Sequence, residues 1–237
     1  MKKLRAFADR YVFSKTYTCL ICGRENFNDD EVCDECMKRL PLITEPCQKC
    51  GRQKSTGGAF CKECESTQIE ITKGISEYEY DSEIPAIIKR FKYNHKKKYK
   101  NFLVKGMIDA FYKADVDVDV ITYVPMSRKE WFSRACFNQS KYLAETFCKT
   151  LKLPLDGILL KNKNTRRQAK LGFKDRQRNL KDAFKLKKGI NITGTSVLVI
   201  DDVLTTGATA DSIGKTLFDK GAKNVYFLTV ASVSHHK

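Results

Sequence analysis

Thirteen residues, Val197 to Thr209 (VLVIDDVLTTGAT), gather more chemistry than any other segment of the chain. Asp201 and Asp202 stand side by side, and adjacent carboxylates repel a phosphate while suiting ribose hydroxyls or a divalent cation. Just beyond them, Thr205, Thr206 and Thr209 offer hydroxyl donors around Gly207, a residue that lets backbone approach an anion closely. The four apolar residues before the acids predict a buried parallel strand that ends where the acids begin. A helix is predicted from about Thr209 to Lys220. In open α/β sheets ligands bind at the carboxyl ends of strands, where a helix N-terminus presents free N–H groups to an anion. The loop of Val203, Leu204, Thr205, Thr206, Gly207, Ala208 and Thr209 is therefore read as a phosphate cup. With the two acids as a diol or metal grip, the pair describes a ribose 5-phosphate. No Gly-Lys-Ser/Thr ending is present, which excludes a Walker A loop.

The second source of chemistry is cysteine. Eight of the ten cysteines form four CxxC pairs, Cys19/Cys22, Cys33/Cys36, Cys47/Cys50 and Cys61/Cys64, each pair starting fourteen residues after the last. Such knuckles present thiolates to a tetrahedral metal, and four thiolates close a structural zinc site with no open coordination position. Two structural Zn²⁺ ions are expected. The first and third knuckles run into Gly-Arg (CLICGR, CQKCGR), and the second and fourth carry Glu before the last cysteine (CDEC, CKEC). That repeat pairs Cys19, Cys22, Cys33 and Cys36 on one ion and Cys47, Cys50, Cys61 and Cys64 on the other; a cross-braced pairing is the alternative. Cys136 and Cys148 lie outside the pattern and read as packing residues.

These groups need a scaffold. A chain of 237 residues accommodates one α/β domain with an appendage, or two small domains. The expected division is an N-terminal segment and zinc module over 1–70 and an α/β domain over 71–237. Residues 1–17 pattern as a short amphipathic helix. Strands are expected at Ile75–Tyr80, Val118–Val124, Ile158–Leu160 and Asn224–Val233, the last closing the sheet. Helices are expected at Ile84–Phe91, Phe102–Tyr112 and Ser140–Leu151, with Asn138 or Ser140 as cap. Residues 126–129 and 162–174 read as loops. No apolar run reaches the ~18 residues of a membrane span, and Asp9 and Arg10 interrupt any signal-like start. A cytoplasmic protein without membrane insertion is expected.

Lys and Arg number 44 against 28 acids, a formal charge of +16. Basic residues concentrate in Lys89–Lys100, with Lys89, Arg90, Lys92, Lys96, Lys97 and Lys98 among Phe91, Tyr93 and Tyr99. A second dense stretch, 161–188, holds Arg166, Arg167 and Arg176. Basic grooves with interleaved rings suit single-stranded nucleic acid; a solvated lysine-rich surface is the other reading. Trp131 is either core or a stacking surface.

The Val197–Thr209 segment resembles the phosphoribosyl pyrophosphate (PRPP) motif of type I phosphoribosyltransferases. The larger set resembles the ComF family of competence proteins, including ComFC-like members, over nearly the whole chain. Its marks are the knuckles, IKRFKY (88–93), VPMSRK followed by FNQ (137–139), and TRRQAKLGFKDRQRNLKDAF (165–184). One departure is Ala135-Cys136 where the family has Arg-Gly, with Arg134 displaced by one position. The resemblance implies a type I phosphoribosyltransferase fold with a double zinc ribbon, and Mg²⁺ bound with PRPP on Asp201 and Asp202. It also implies a pyrophosphate grip from Ser127, Arg128 and Lys129. The implied function is a competence factor binding single-stranded DNA, a ComFA-type helicase and a DNA-processing recombinase loader. An active phosphoribosyltransferase with an unidentified acceptor is the alternative, and a regulator sensing PRPP a third reading.

Overall fold

A run such as Val197–Ile200 has no polar side to turn to water, so both of its faces must be covered. In the computed structural model all four residues are fully buried. The structure describes residues 17–26, 31–55, 57–67, 69–94, 97–133, 137–162 and 183–234. The expected N-terminal helix lies almost wholly outside them.

The frame is a four-stranded parallel sheet of β3 (Lys73–Glu79), β4 (Val120–Tyr123), β7 (Ser196–Leu204) and β8 (Asn224–Ser232), in the order β3-β8-β7-β4. Two expectations are corrected. The final strand does not close the sheet at an edge but lies inside it, between β3 and β7. The strand before the acids does not stop at Ile200. It runs through Asp201 and Asp202 to Leu204, because β8 pairs with it that far, Asp201 against Thr229 and Leu204 against Ser232. On its other side β7 loses its partner sooner. The β4 register ends at Tyr123 opposite Ile200, and after Val124 N–H donates to Ile200 O (3.0 Å) the chain turns away. The acids therefore face a gap where one neighbouring strand has ended.

The pleat sends alternate residues of β7 to opposite faces. Leu198 and Ile200 join Phe91 of α3 (Ile84–Asn94), Met107 of α4 (Lys97–Ala114), and Leu143 and Phe147 of α6 (Gln139–Leu151). Val197 and Val199 join Ile213 and Leu217 of α7 (Ala208–Phe218), with Val225 and Phe227 of β8. Asn138 caps α6 by accepting from Lys141 N–H (3.2 Å). Where a loop was expected after β4, α5 (Arg128–Ser133) forms. Its start is a capping box: Ser127 N–H donates to Glu130 Oε2 (2.9 Å) and Glu130 N–H to Ser127 Oγ (3.3 Å). A strand not expected from the sequence, β6 (Phe184–Leu186), pairs antiparallel with β5 (Leu159–Lys161).

The zinc knuckles divide between the two faces. The first unit, with β1 (Tyr17–Thr18), β2 (Glu25–Asn26) and α1 (Asp34–Met37), contributes Cys19, Leu20, Val32 and Leu40 to the core of the α3–α4–α6 face. The second, with α2 (Lys62–Ser66), contributes its four cysteines, Ile69 and Ile71 to the core of the α7 face. Its backbone crosses the start of β3 so closely that a Cβ on Gly51 would stand 2.3 Å from Gly74 O, and one on Gly74 2.2 Å from Cys50 O.

Candidate functional site

Three elements meet at the acid pair. From β7, Asp201 Oδ1 accepts from Ser140 Oγ in the first turn of α6 (2.6 Å) and from the Asp202 N–H (2.9 Å). From α3, Lys92 Nζ lies 2.5 Å from Asp202 Oδ2, whose side chain is only 13% exposed. The other oxygen, Oδ1, accepts from Val203 N–H (2.7 Å). Burial and the neighbouring Asp202 charge push Asp201 up to about 7. Burial works against the Lys92 ammonium, but the Asp202 carboxylate outweighs it and holds Lys92 above its ordinary range. Asp201 thus takes up a proton readily, and one cation, the Lys92 ammonium, already stands at Asp202.

The loop follows directly. Gly207 takes a left-handed φ of 84° and, lacking a side chain, makes no cap bond to α7; the first helical N–H, that of Ala208, donates to Thr206 Oγ1 (3.5 Å). Thr205 is exposed and Thr206 half-buried, while Leu204 and Ala208 anchor the loop in the core. Behind the loop runs the segment leaving the second knuckle unit. A Cβ on Gly207 would stand 2.8 Å from Ile69 Cδ1, and one on Gly214 would fall 1.4 Å from Glu70 O. The Glu70 N–H donates to buried Asp211 (3.0 Å), which also accepts from Lys215.

One residue here escaped the sequence reading. Arg52, 2% exposed, reaches from the second knuckle unit to donate from Nη2 to Thr205 O (2.6 Å). Among the described residues its Nε has no hydrogen-bond partner. The signal was the repeated CxxCGR, but the equivalent Arg24 has a side chain 65% exposed and pairs with Glu35 at 2.6 Å. Identical motifs therefore place their arginines in opposite surroundings.

Of the residues expected to grip pyrophosphate, Ser127 is buried in its capping box, and Arg128 and Lys129 are exposed on α5. Glu130 is held below the ordinary carboxylate range: burial opposes ionisation, but Lys161 (2.8 Å) and the Ser127 N–H prevail. Trp131 and Phe132, the latter 75% exposed, extend along the same helix. Of the basic candidates, Lys89 is exposed, Arg90 donates to Leu20 O (3.1 Å) and so clasps the first knuckle unit, and Lys92 belongs to the acid pair. Lys97 and Lys98 open α4. Lys96, Arg134, Ala135, Cys136, Arg166, Arg167 and Arg176 lie outside the described residues, as does the 165–184 motif up to residue 182.

The eight cysteines fall into two tetrads, Cys19/Cys22/Cys33/Cys36 and Cys47/Cys50/Cys61/Cys64, with all Sγ atoms of a tetrad within 4.8 Å of one another. Pairing is sequential, not cross-braced. Zn–S bonds of about 2.3 Å in a tetrahedron require sulfur separations of about 3.8 Å. Cys22–Cys33 and Cys50–Cys61 separations of 3.9 and 3.6 Å fit that requirement. Each tetrad repeats one outer hydrogen bond, Cys33 N–H to Cys19 Sγ (3.4 Å) and Cys61 N–H to Cys47 Sγ (3.2 Å). Zinc held here supplies structure, and Cys148 is a buried packing residue of the α6 face.

Fold and site together define a class: an α/β domain with a four-stranded parallel sheet, preceded by a segment, residues 10–66, that matches the model of the double zinc ribbon domain. The chain is homologous to competence proteins. It is 27% identical over 218 residues to competence protein F of Haemophilus influenzae, spanning 88% of this chain and 94% of that protein. Competence protein ComFC of Bacillus subtilis is 29% identical over 200 residues, 81% and 80% of the two chains. A DNA utilization protein, YhgH of Salmonella typhi, is 36% identical over 109 residues, 45% of this chain and about half (46%) of that one. Among solved structures, the glutamine PRPP amidotransferase of Bacillus subtilis overlays at a TM-score of 0.36 with 22% identity, covering 54% of this chain and 25% of that one. Among the described residues, no helix is long and apolar enough to cross a membrane.

Proposed function

We propose that the protein is a cytoplasmic competence factor that binds single-stranded DNA and partner proteins and carries a PRPP site. Asp201 and Asp202 face the ribose or its cation, the 203–209 loop takes the 5′-phosphate, and Ser127, Arg128 and Lys129 meet the pyrophosphate. The observation that carries this is the continuity of β7, loop and α7. An acid pair beside a gap in the sheet is followed directly by a left-handed glycine and a helix start without a side-chain cap. Magnesium entering with PRPP would neutralise pyrophosphate charge. The full-length relatives named as competence proteins, and one named for DNA utilization, support the DNA-handling half. By family resemblance the partners are a ComFA-type helicase and a recombinase loader.

Titration calorimetry with Mg-PRPP tests the ligand. Binding that is lost in Asp202→Asn supports the site, and an unchanged isotherm in that variant removes it. Single-stranded DNA should bind with an affinity that falls steeply with salt. Absence of binding at physiological ionic strength would remove the DNA half.

The Lys92 ammonium at the acid pair favours a second reading, an active phosphoribosyltransferase. An acceptor's lone pair would bond to the anomeric carbon while the carbon–oxygen bond to pyrophosphate breaks. Pyrophosphate leaves with the electron pair, and the acceptor's proton passes to solvent. Fixed charge such as Lys92 stabilises that separation. Pyrophosphate release across an acceptor screen decides this reading.

A further inference from the structure

The buried Arg52 is an incompletely satisfied charge. Among the described residues no carboxylate pairs with it, and its Nε makes no hydrogen bond. Its Nη2 donates to Thr205 O (2.6 Å) and stands 3.7 Å from the position a Cβ on Gly207 would take. A guanidinium is thus packed against the start of α7, itself the positive end of a helix dipole. Two positive features pressed together are mutually unfavourable unless an anion lies beside them. Burial of the guanidinium is costly unless opposite charge lies close. One balancing charge is at hand, since four thiolates on a divalent zinc carry two net negative charges and Arg52 follows Cys50 by two residues. On the loop side a bound anion would supply the other.

We propose that Arg52, carried by the second zinc ribbon, is a working part of the anion site at the 205–209 loop. This rests on reading that loop as a phosphate cup. By holding the Thr205 carbonyl, the guanidinium fixes the backbone so that the following N–H groups face outward. It also sets a positive charge behind them, to which a phosphate dianion responds. Affinity for the phosphate therefore depends on a ribbon distant in sequence, and the ribbon is an element of ligand binding as well as of structure.

The test uses the full zinc-loaded chain, with ribose 5-phosphate as probe in titration calorimetry and zinc content measured for each protein. Arg52→Met keeps the bulk of the side chain without its charge and should weaken ribose 5-phosphate binding by about tenfold to a hundredfold. Arg52→Lys should fall between it and the wild type, both variants retaining two zinc ions. Equal affinity in Arg52→Met with zinc retained overturns the role of Arg52 and leaves the phosphate cup standing. If the wild type binds neither ribose 5-phosphate nor Mg-PRPP, the cup fails and this inference with it. Should Arg52→Met not fold, hydrogen exchange on the wild type gives the same decision, because coupling is reciprocal. Ribose 5-phosphate should then slow exchange in peptides spanning 47–54 as well as 203–211. Slowing confined to the loop peptides overturns the proposal.

Discussion

Asp201→Asn removes a carboxyl whose ionisation the fold resists. The native group is pushed from an ordinary value near 3.8 up to about 7, by burial first and by the Asp202 charge second. That interval of about three pH units, at roughly 1.4 kcal/mol per unit, sets a ceiling of about 4 kcal/mol. Asp202 and Lys92 share the charge, 2.5 Å apart, and can readjust, which lowers the expected effect to about 1–3 kcal/mol. The sign follows from proton counting. Between the two values the native protein holds a proton that the unfolded chain has released, so stability falls as pH rises through that window. The contribution is complete below about pH 4, fades toward pH 7 and is gone above it. Asparagine mimics the protonated acid at every pH and still accepts the Ser140 hydrogen bond. In urea unfolding without magnesium, the two proteins should match near pH 4, and the variant should lead by about 1–3 kcal/mol at pH 8. Comparison at each pH cancels the proton dependence of the zinc thiolates, which both proteins share. A pH-independent difference, or a variant that is weaker at pH 8, refutes the reasoning.

Two further perturbations probe how the ribbons are built in. Gly214→Ala would put a Cβ 1.4 Å from Glu70 O, a rigid backbone contact, so the 69–72 segment must lift from α7 at a cost of about 2–3 kcal/mol. Thermal melting should reveal that loss, and an unchanged melting temperature would contradict the close approach. Removing zinc with a chelator should lower the stability of the sheet itself, because Cys36 and Cys50 sit in the same cores as Ile200 and Val199. Circular dichroism that keeps its original transition after stoichiometric zinc loss would separate ribbons from sheet.

What the sequence revealed and what it concealed divide along the range of the interactions. Cysteine spacing and the Gly-Arg repeat are local, and they led directly to the two tetrads. Asn138 as a cap was legible because it serves an amide three residues away. The capping box at Ser127 was equally local, an S-x-x-E pattern passed over because its basic residues drew a ligand reading. Strand order was not legible. β8 looks like an end strand, and only the pairing of Lys73–Glu79 on its far side makes it central. The extension of β7 through two aspartates runs against their weak strand preference and is imposed by β8 alone. Lys92 reads as one more cation in a basic run until α3 is laid beside the acid pair. Arg52 and Arg24 share a motif, and packing alone separates them.

The docking of the second ribbon has a consequence for biosynthesis. Its tetrad closes over eighteen residues, Cys47 to Cys64, and can take metal as soon as that stretch leaves the ribosome. The surface that receives it comes much later: Arg52 waits for Thr205 across 153 positions, and Glu70 for Asp211 across 141. At elongation rates of about 5–20 residues per second the wait is on the order of ten to thirty seconds. Throughout that time Ile69, Ile71 and the Arg52 guanidinium have no native cover, and β3 has no partner strand. The nascent chain thus carries a metal-closed ribbon beside an open apolar seam. Zinc can therefore bind early in the making of this protein, and the 205–209 loop is among the last parts to be completed.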